Sequence, residues 1–209
     1  MSTVPPELPR VLHFVTGGFS GATQVAVDLV RAHGESGLFD SLLVLRRKRQ
    51  TDPVRIAALR AQGLAVEVVP GWSHAATMWQ LVRLCRKFRP DLLVAHGFSE
   101  HLWGRYAGLI ASVPRLVQVE HNSRERYTRW RQAQMLWLAR RTQAIVGVSQ
   151  GVREALLARG VDPSKTLAIP NGVRLEPYAQ ADGHPFLMRK PGIVMAARFA
   201  RQKDHASLL

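Results

Sequence analysis

Six short apolar runs, set apart by stretches of helical character, constrain this chain more than any other feature. They are "RVLHFVT" (10–16), "FDSLLVL" (39–45), "LAVEVV" (64–69), "DLLVAH" (91–96), "RLVQVE" (115–120) and "AIVGVS" (144–149). Each is compact and apolar, as a strand buried on both faces must be. Residues 23–33 read as a helix after the first run. Within 75–89, Met78, Val82, Cys85 and Phe88 recur at helical spacing, and Pro90 stops that helix. A long helical segment is expected over 123–141, with Tyr127, Trp130, Gln134 and Trp137 along one stripe, and another over 150–159, closed by Gly160.

This alternation predicts an α/β fold: a Rossmann-like, doubly wound parallel sheet with right-handed crossovers. Ligands bind such sheets beyond the carboxyl ends of the strands. That rule singles out Gly17 and Gly18, His96 and Gly97, Glu120 and His121, and Ser149. Proline and glycine cluster from Pro170 to Pro191 without a long periodic segment. The expected organisation is one domain over 1–175, a linker over 176–190, and the start of a second α/β domain over 191–209, opening with a strand "GIVMAA" (192–197).

Charge narrows the partners. Lys and Arg number 29 against 15 Asp and Glu, a formal net charge of +14. Such an excess attracts phosphate as nucleotide, nucleic acid or lipid headgroup, or is simply a solvated basic surface. The segment "SRERYTRWRQAQMLWLARR" (123–141) sets arginines beside aromatic rings. It reads either as a surface for anionic membrane or as a domain helix with a basic outer face. No run of about 18 apolar residues is present. The start "MSTVPPELPR" lacks the pattern of a secretory signal, and the single cysteine, Cys85, has no partner for an internal disulfide. The expected location is cytoplasmic, with peripheral contact at the inner membrane face.

"TGGFSGA" (16–22) follows the first strand and opens a helix, where backbone amides can approach an anion. A dinucleotide fingerprint needs glycine at 16, 18 and 21, and here Thr16 replaces the first. The acid expected after the second strand is replaced by "RRKR" (46–49). That argues against NAD and leaves NADP open, as it leaves open a purely structural turn. His96 and His121 each end a strand, where an imidazole can orient a substrate hydroxyl or only satisfy nearby backbone. No His, Cys, Asp and Glu set has metal-ligand spacing, so no protein-bound metal is expected. Cys85 reads as inert core, and "IPNGV" (169–173) as an Asn-Gly turn after a short strand.

Together, "VTGGFSGATQVAVDL", "PDLLVAHG", "VQVEHN", "VGVSQGVREAL", "LAIPNGV" and "MAARFARQKDHASLL" occur in an order that resembles GT-B glycosyltransferases of family 4. The resemblance covers nearly the whole chain. It implies two Rossmann-like domains facing a cleft, the first for the acceptor and the second for a nucleotide-sugar. It implies sugar transfer with retention of configuration, without a bound metal or other cofactor. By the same resemblance, Gly17 and Gly18 form the loop that approaches the donor, and His121 stands by the transferred sugar. Arg198 and Lys203 hold the diphosphate, while His96 and Glu120 are acceptor-side candidates. Two fixed cations on a departing nucleoside diphosphate stabilise the transition state more than the ground state.

The family's paired-glutamate motif is absent, so the chain is expected to be an incomplete fragment, inactive alone. UDP- and GDP-sugars remain equal candidates, the acceptor is an unknown sugar or lipid-linked molecule, and no specific nucleic acid is expected. The alternatives are an NADP-binding domain of an oxidoreductase or a basic lipid- or nucleic-acid-binding module.

Overall fold

The structure is a computed structural model, and it describes residues 7–123, 127–173, 175, 192, 193, 195–197 and 204–208. Seven parallel strands form one sheet: β1 (Arg10–Thr16), β2 (Asp40–Arg46), β3 (Ala65–Val69), β4 (Leu92–His96), β5 (Arg115–Glu120), β6 (Ala144–Gly147) and β7 (Thr166–Ala168). Their spatial order is β3-β2-β1-β4-β5-β6-β7. Six helices connect them: α1 (Gly21–Ser36), α2 (Pro53–Ala61), α3 (His74–Phe88), α4 (Glu100–Ile110), α5 (Arg129–Ala139) and α6 (Gln150–Ala158). The expected Rossmann-like α/β fold is the fold observed.

The strands are central because their residues alternate between two apolar layers. Leu12, Phe14, Leu93 and Ala95 pack with Leu81, Val82 and Cys85 of α3 and Ala107 of α4. Val15, Leu43 and Leu45 pack on the other face with Ala26, Val27 and Val30 of α1 and Ile56 and Leu59 of α2. A third cluster joins Leu102, Met135, Leu138, Ile145, Val152 and Leu156. Cys85 is buried as expected, and burial pushes its thiol up to about 12. Caps set the helix starts: the side chains of Asp52, Ser73, Thr128 and Ser149 accept from the backbone N–H groups of Val54, Ala76, Arg131 and Val152.

Two helices, α2 and α4, were not evident from periodicity. The expected stripe over 123–141 is also corrected. Helix α5 is shorter, Tyr127 precedes it, and Trp130 and Trp137 point outward at 72% and 43% exposure, while Met135, Leu138 and Ala139 carry the burial.

The chain divides into two compact units, 1–172 and 173–209. In the second unit the strand expected over 192–197 does not form among the described residues, and Ile193 is 84% exposed. A lone strand has no ladder partner to satisfy its backbone. His205–Leu208 forms a 3-10 turn. Arg198 and Lys203 lie outside the described residues.

Candidate functional site

The strand order reverses at β1, with β2 on one side and β4 on the other. Loops leaving the carboxyl ends of β1 and β4 therefore diverge and open a crevice. Gly17 sits at its mouth. Its N–H donates to the Arg46 carbonyl at 2.7 Å, and a Cβ there would lie 2.7 Å from that oxygen and 2.8 Å from Thr51 Oγ1. Glycine is thus required by the close approach of the β2–α2 connection, whatever the loop binds. A Cβ on Gly18 would meet Gln50 Nε2 at 3.2 Å, whereas one on Gly21 would meet open space. The third glycine of a dinucleotide fingerprint serves close helix–strand packing, which Gly21 does not show. Phe19 and Ser99 adopt positive φ angles of 48° and 66°, strained conformations in the loops after β1 and β4.

Three histidines run in series beneath the crevice. His13 Nδ1 meets His96 Nε2 at 3.1 Å, and His96 Nδ1 meets His121 Nε2 at 3.3 Å. The rings come from the adjacent strands β1 and β4 and from the residue just after β5. Burial drives the His13 pKa down to about 3 and the His121 pKa to about 4, and holds His96 well below its ordinary value, so all three are neutral at pH 7.

A neutral imidazole donates from one nitrogen and accepts at the other, so the three protons are coupled. In one arrangement His13 donates to His96, His96 to His121, and His121 keeps its proton on Nδ1. In the reverse arrangement His13 carries its proton on Nε2. That nitrogen is buried with no hydrogen-bond partner among the described residues. A buried orphan N–H costs more than a buried orphan lone pair. The first arrangement is favoured, and His121 is left with an Nδ1–H donor. His96 is wholly buried and reaches a ligand only through His121; His13 was not singled out in the sequence, where a histidine in an apolar strand was the available signal.

Glu120 is also buried, at 2% exposure. Arg105, wholly buried on α4, donates to His101 Nδ1 at 2.7 Å, and an arginine can only donate. His101 Nε2–H must then donate to the Tyr127 hydroxyl at 2.7 Å, and Tyr127 donates to Glu120 Oε2 at 3.3 Å. Every bond in this chain has a forced direction, from guanidinium to carboxylate. Desolvation lowers the Arg105 pKa to about 10, which leaves it charged at neutral pH. The i, i+4 spacing of His101 and Arg105 was the signal the sequence offered.

Arg46, the first of the "RRKR" basic residues, is only 4% exposed. Its Nη1 lies 3.4 Å from Glu100 Oε1, its Nη2 2.9 Å from His74 Nδ1, and Lys48 Nζ reaches the same Glu100 oxygen at 2.8 Å. Among the described residues no group of three or more His, Cys, Asp or Glu is placed to hold a metal ion. Two grooves, of about 390 and 410 Å³, lie toward the amino-terminal strand edge beside Asp162 and Asp91, away from all of these residues.

The model of Glycosyltransferase Family 4 matches residues 19–177, more than half of the chain. The chain belongs to glycosyltransferase family 4. A search of curated proteins finds no significant match. Among solved structures, this family 4 chain is similar to Anabaena Alr3699/HepE in complex with UDP, with 19% identity over 82% of this chain and 46% of that one, and a TM-score of 0.66. It is similar to a glycosyltransferase from Rickettsia africae ESF-5, with 13% identity, 86% and 47% coverage, and a TM-score of 0.69. A UDP-N-acetylglucosamine 2-epimerase shares the fold too, with 12% identity, 77% and 47% coverage, and a TM-score of 0.57. Identities this low speak to fold alone. The family 4 chain spans a little less than half the length of each of these proteins.

Proposed function

We propose that this chain is the acceptor-side part of a retaining glycosyltransferase that uses a nucleotide-sugar donor. The observation that carries the reading is the placement of the Gly17–Gly18 turn and His121 at one carboxyl edge, on either side of the strand-order reversal. The turn would approach the donor's phosphate and sugar. His121, with its remaining proton on Nδ1, would donate to a sugar hydroxyl rather than abstract a proton. Arg198 and Lys203 would hold the diphosphate. The Anabaena protein is solved with UDP and with UDP-glucose, which favours a UDP-sugar over a GDP-sugar. The nucleotide-sugar is a substrate; no metal or other cofactor takes part in this reading.

The test is an NMR titration of the 209-residue chain with UDP-glucose, GDP-mannose and NADP. The expected result is weak binding, with shifts confined to the amides of Gly17 and Gly18 and the ring of His121. Catalytic positioning needs both halves of a cleft, so no turnover is expected from this chain alone. Flat titrations with both nucleotide-sugars would overturn the reading, and a response to NADP alone would favour the oxidoreductase alternative.

A further inference from the structure

The charges around His74 do not balance. Arg46, Lys48 and Arg131 act on its ring as cations, and Glu100 alone acts as an anion. Arg46 is buried and needs one countercharge, which Glu100 supplies at 3.4 Å. Lys48 leans on that same carboxylate oxygen at 2.8 Å. Arg131, from the first turn of α5, lies over the Phe98 ring with its guanidinium carbon 5.4 Å from the centroid, and pairs with no carboxylate among the described residues. One carboxylate cannot neutralise three cations, so the excess charge at this largely solvent-exposed edge favours an arriving anion.

The donors left over define its shape. Arg46 donates to His74 Nδ1 at 2.9 Å, so the His74 proton stands on Nε2. The His74 ring is itself fixed by stacking on Trp103, centroids 4.4 Å apart. The two Nη groups of Arg46 are already committed to His74, Ser99 and Glu100, while its buried Nε has no partner among the described residues. What remains is an ammonium on the β2–α2 connection, an imidazole N–H on α3 and a guanidinium on α5. These come from three separate elements, unlike the two parallel donors that one guanidinium offers. A planar carboxylate prefers such a fork, whereas a tetrahedral phosphate accepts donors from several directions.

We propose that Lys48, His74 and Arg131 form a binding site for a phosphate group, and that the acceptor of this glycosyltransferase carries that phosphate. The assignment to the acceptor rests on the functional reading above; the site itself rests on the charges. Its place suits the role. The Arg46 carbonyl receives the Gly17 N–H, Phe98 and Ser99 belong to the loop that leaves His96, and Arg131 opens α5 after β5, so the cations stand at the carboxyl edge around the crevice. Nothing in the sequence pattern joined Lys48, His74 and Arg131, which are far apart along the chain.

The experiment is an NMR titration of the His74 ring in the full 209-residue chain with inorganic phosphate at constant ionic strength. The expected result is a saturable shift and a rise in the His74 titration midpoint, because a bound anion favours the imidazolium. Arg131→Ala, which removes an exposed side chain and leaves the fold intact, weakens the response roughly tenfold, as does Lys48→Ala. The double variant Arg86→Ala/Lys87→Ala, at the far end of α3, leaves it unchanged. A flat titration overturns the proposal, and so does an equal response to chloride or an equal response in the Arg131 variant.

Two further arms assign the source of the phosphate. A His74 response to a hexose phosphate assigns a soluble ester. Pelleting with phosphatidylglycerol-containing vesicles, absent with pure phosphatidylcholine and lost in Arg131→Ala, assigns a lipid headgroup. Failure of both overturns the acceptor assignment. The UDP-glucose titration reads Gly17, Gly18 and His121 instead, so failure there with a saturating His74 shift would sink the donor reading and leave the phosphate site standing.

Discussion

His96 Nδ1 lies 3.3 Å from His121 Nε2, and the other nitrogen of the same ring is taken by His13 Nδ1 at 3.1 Å. The exposed end of this series is therefore joined to its buried end. Ring 15N shifts should show protonated Nδ1 on all three histidines at pH 7. His13→Phe leaves His96 Nε2 facing an apolar ring, and because an orphan lone pair costs less than an orphan N–H, His96 and His121 should keep their protons on Nδ1 while the His96 Nε2 shift moves to that of a free lone pair. An unchanged His96 Nε2 shift in this variant would show that His13 does not donate to it.

The same burial sets a pH dependence of folding. Histidine in the unfolded chain titrates near 6.5, whereas in the fold His13 is lowered to about 3 and His121 to about 4. Below 6.5 the unfolded chain binds more protons than the native one. Stability is thus fully present above about pH 7 and falls as pH drops toward 4, by up to about 1.4 kcal/mol per pH unit for each such histidine. Urea midpoints across this range should decline in the wild type and decline less steeply in His13→Asn. Equal slopes would count against the buried neutral state of His13.

Helix α4 approaches the sheet through Gly104, where an added Cβ would lie 2.9 Å from both Ala95 Cβ and Phe14 Cδ1. Gly104→Val should cost about 1–3 kcal/mol, because a packed interface has no room for it. Gly34→Ala, late in α1 and facing open space, should instead stabilise by about 0.5–1 kcal/mol through helix propensity. Chemical denaturation of both variants checks the pair; a harmless Gly104→Val would mean α4 can shift outward.

Trp130 is 72% exposed and Arg141 sits over Trp137 at 3.8 Å, so the outer side of α5 interleaves indole with guanidinium. With a net charge of +14, weak docking to anionic vesicles is expected at low salt and should fade as salt rises. Trp130→Ala should reduce it. Equal sedimentation with neutral and anionic vesicles would rule out the electrostatic part. Among the described residues no helix is long and apolar enough to cross a membrane.

The sheet was legible because parallel strands buried on both faces must be apolar throughout, and six of the seven observed strands carry that mark in sequence. Helix α2 was not, because of its nine residues only Ile56 and Leu59 are buried, too few for a period. Helix α4 hid for the opposite reason: it is buried nearly all round, Glu100, His101 and Arg105 included, so its polar residues broke the expected stripe. The carboxyl ends of β1, β4 and β5 carry Gly17, His96 and His121, where the strand reading placed them. What could not be read was which side chains meet: His13 and His96 are 83 residues apart, and Arg46 and Glu100 are 54 apart. Such pairs follow from strand order, which local pattern does not encode.

The directed chain from Arg105 through His101 to Tyr127 and Glu120 has a consequence for how this fold can diversify. Tyr127 is moored to α4 and Glu120, and His121 is moored to His96, so both ends of the stretch between them are tied to the scaffold. The distance between these two anchors is set by the scaffold, so sequence drift elsewhere on the surface leaves the carboxyl edge and the start of α5 in place.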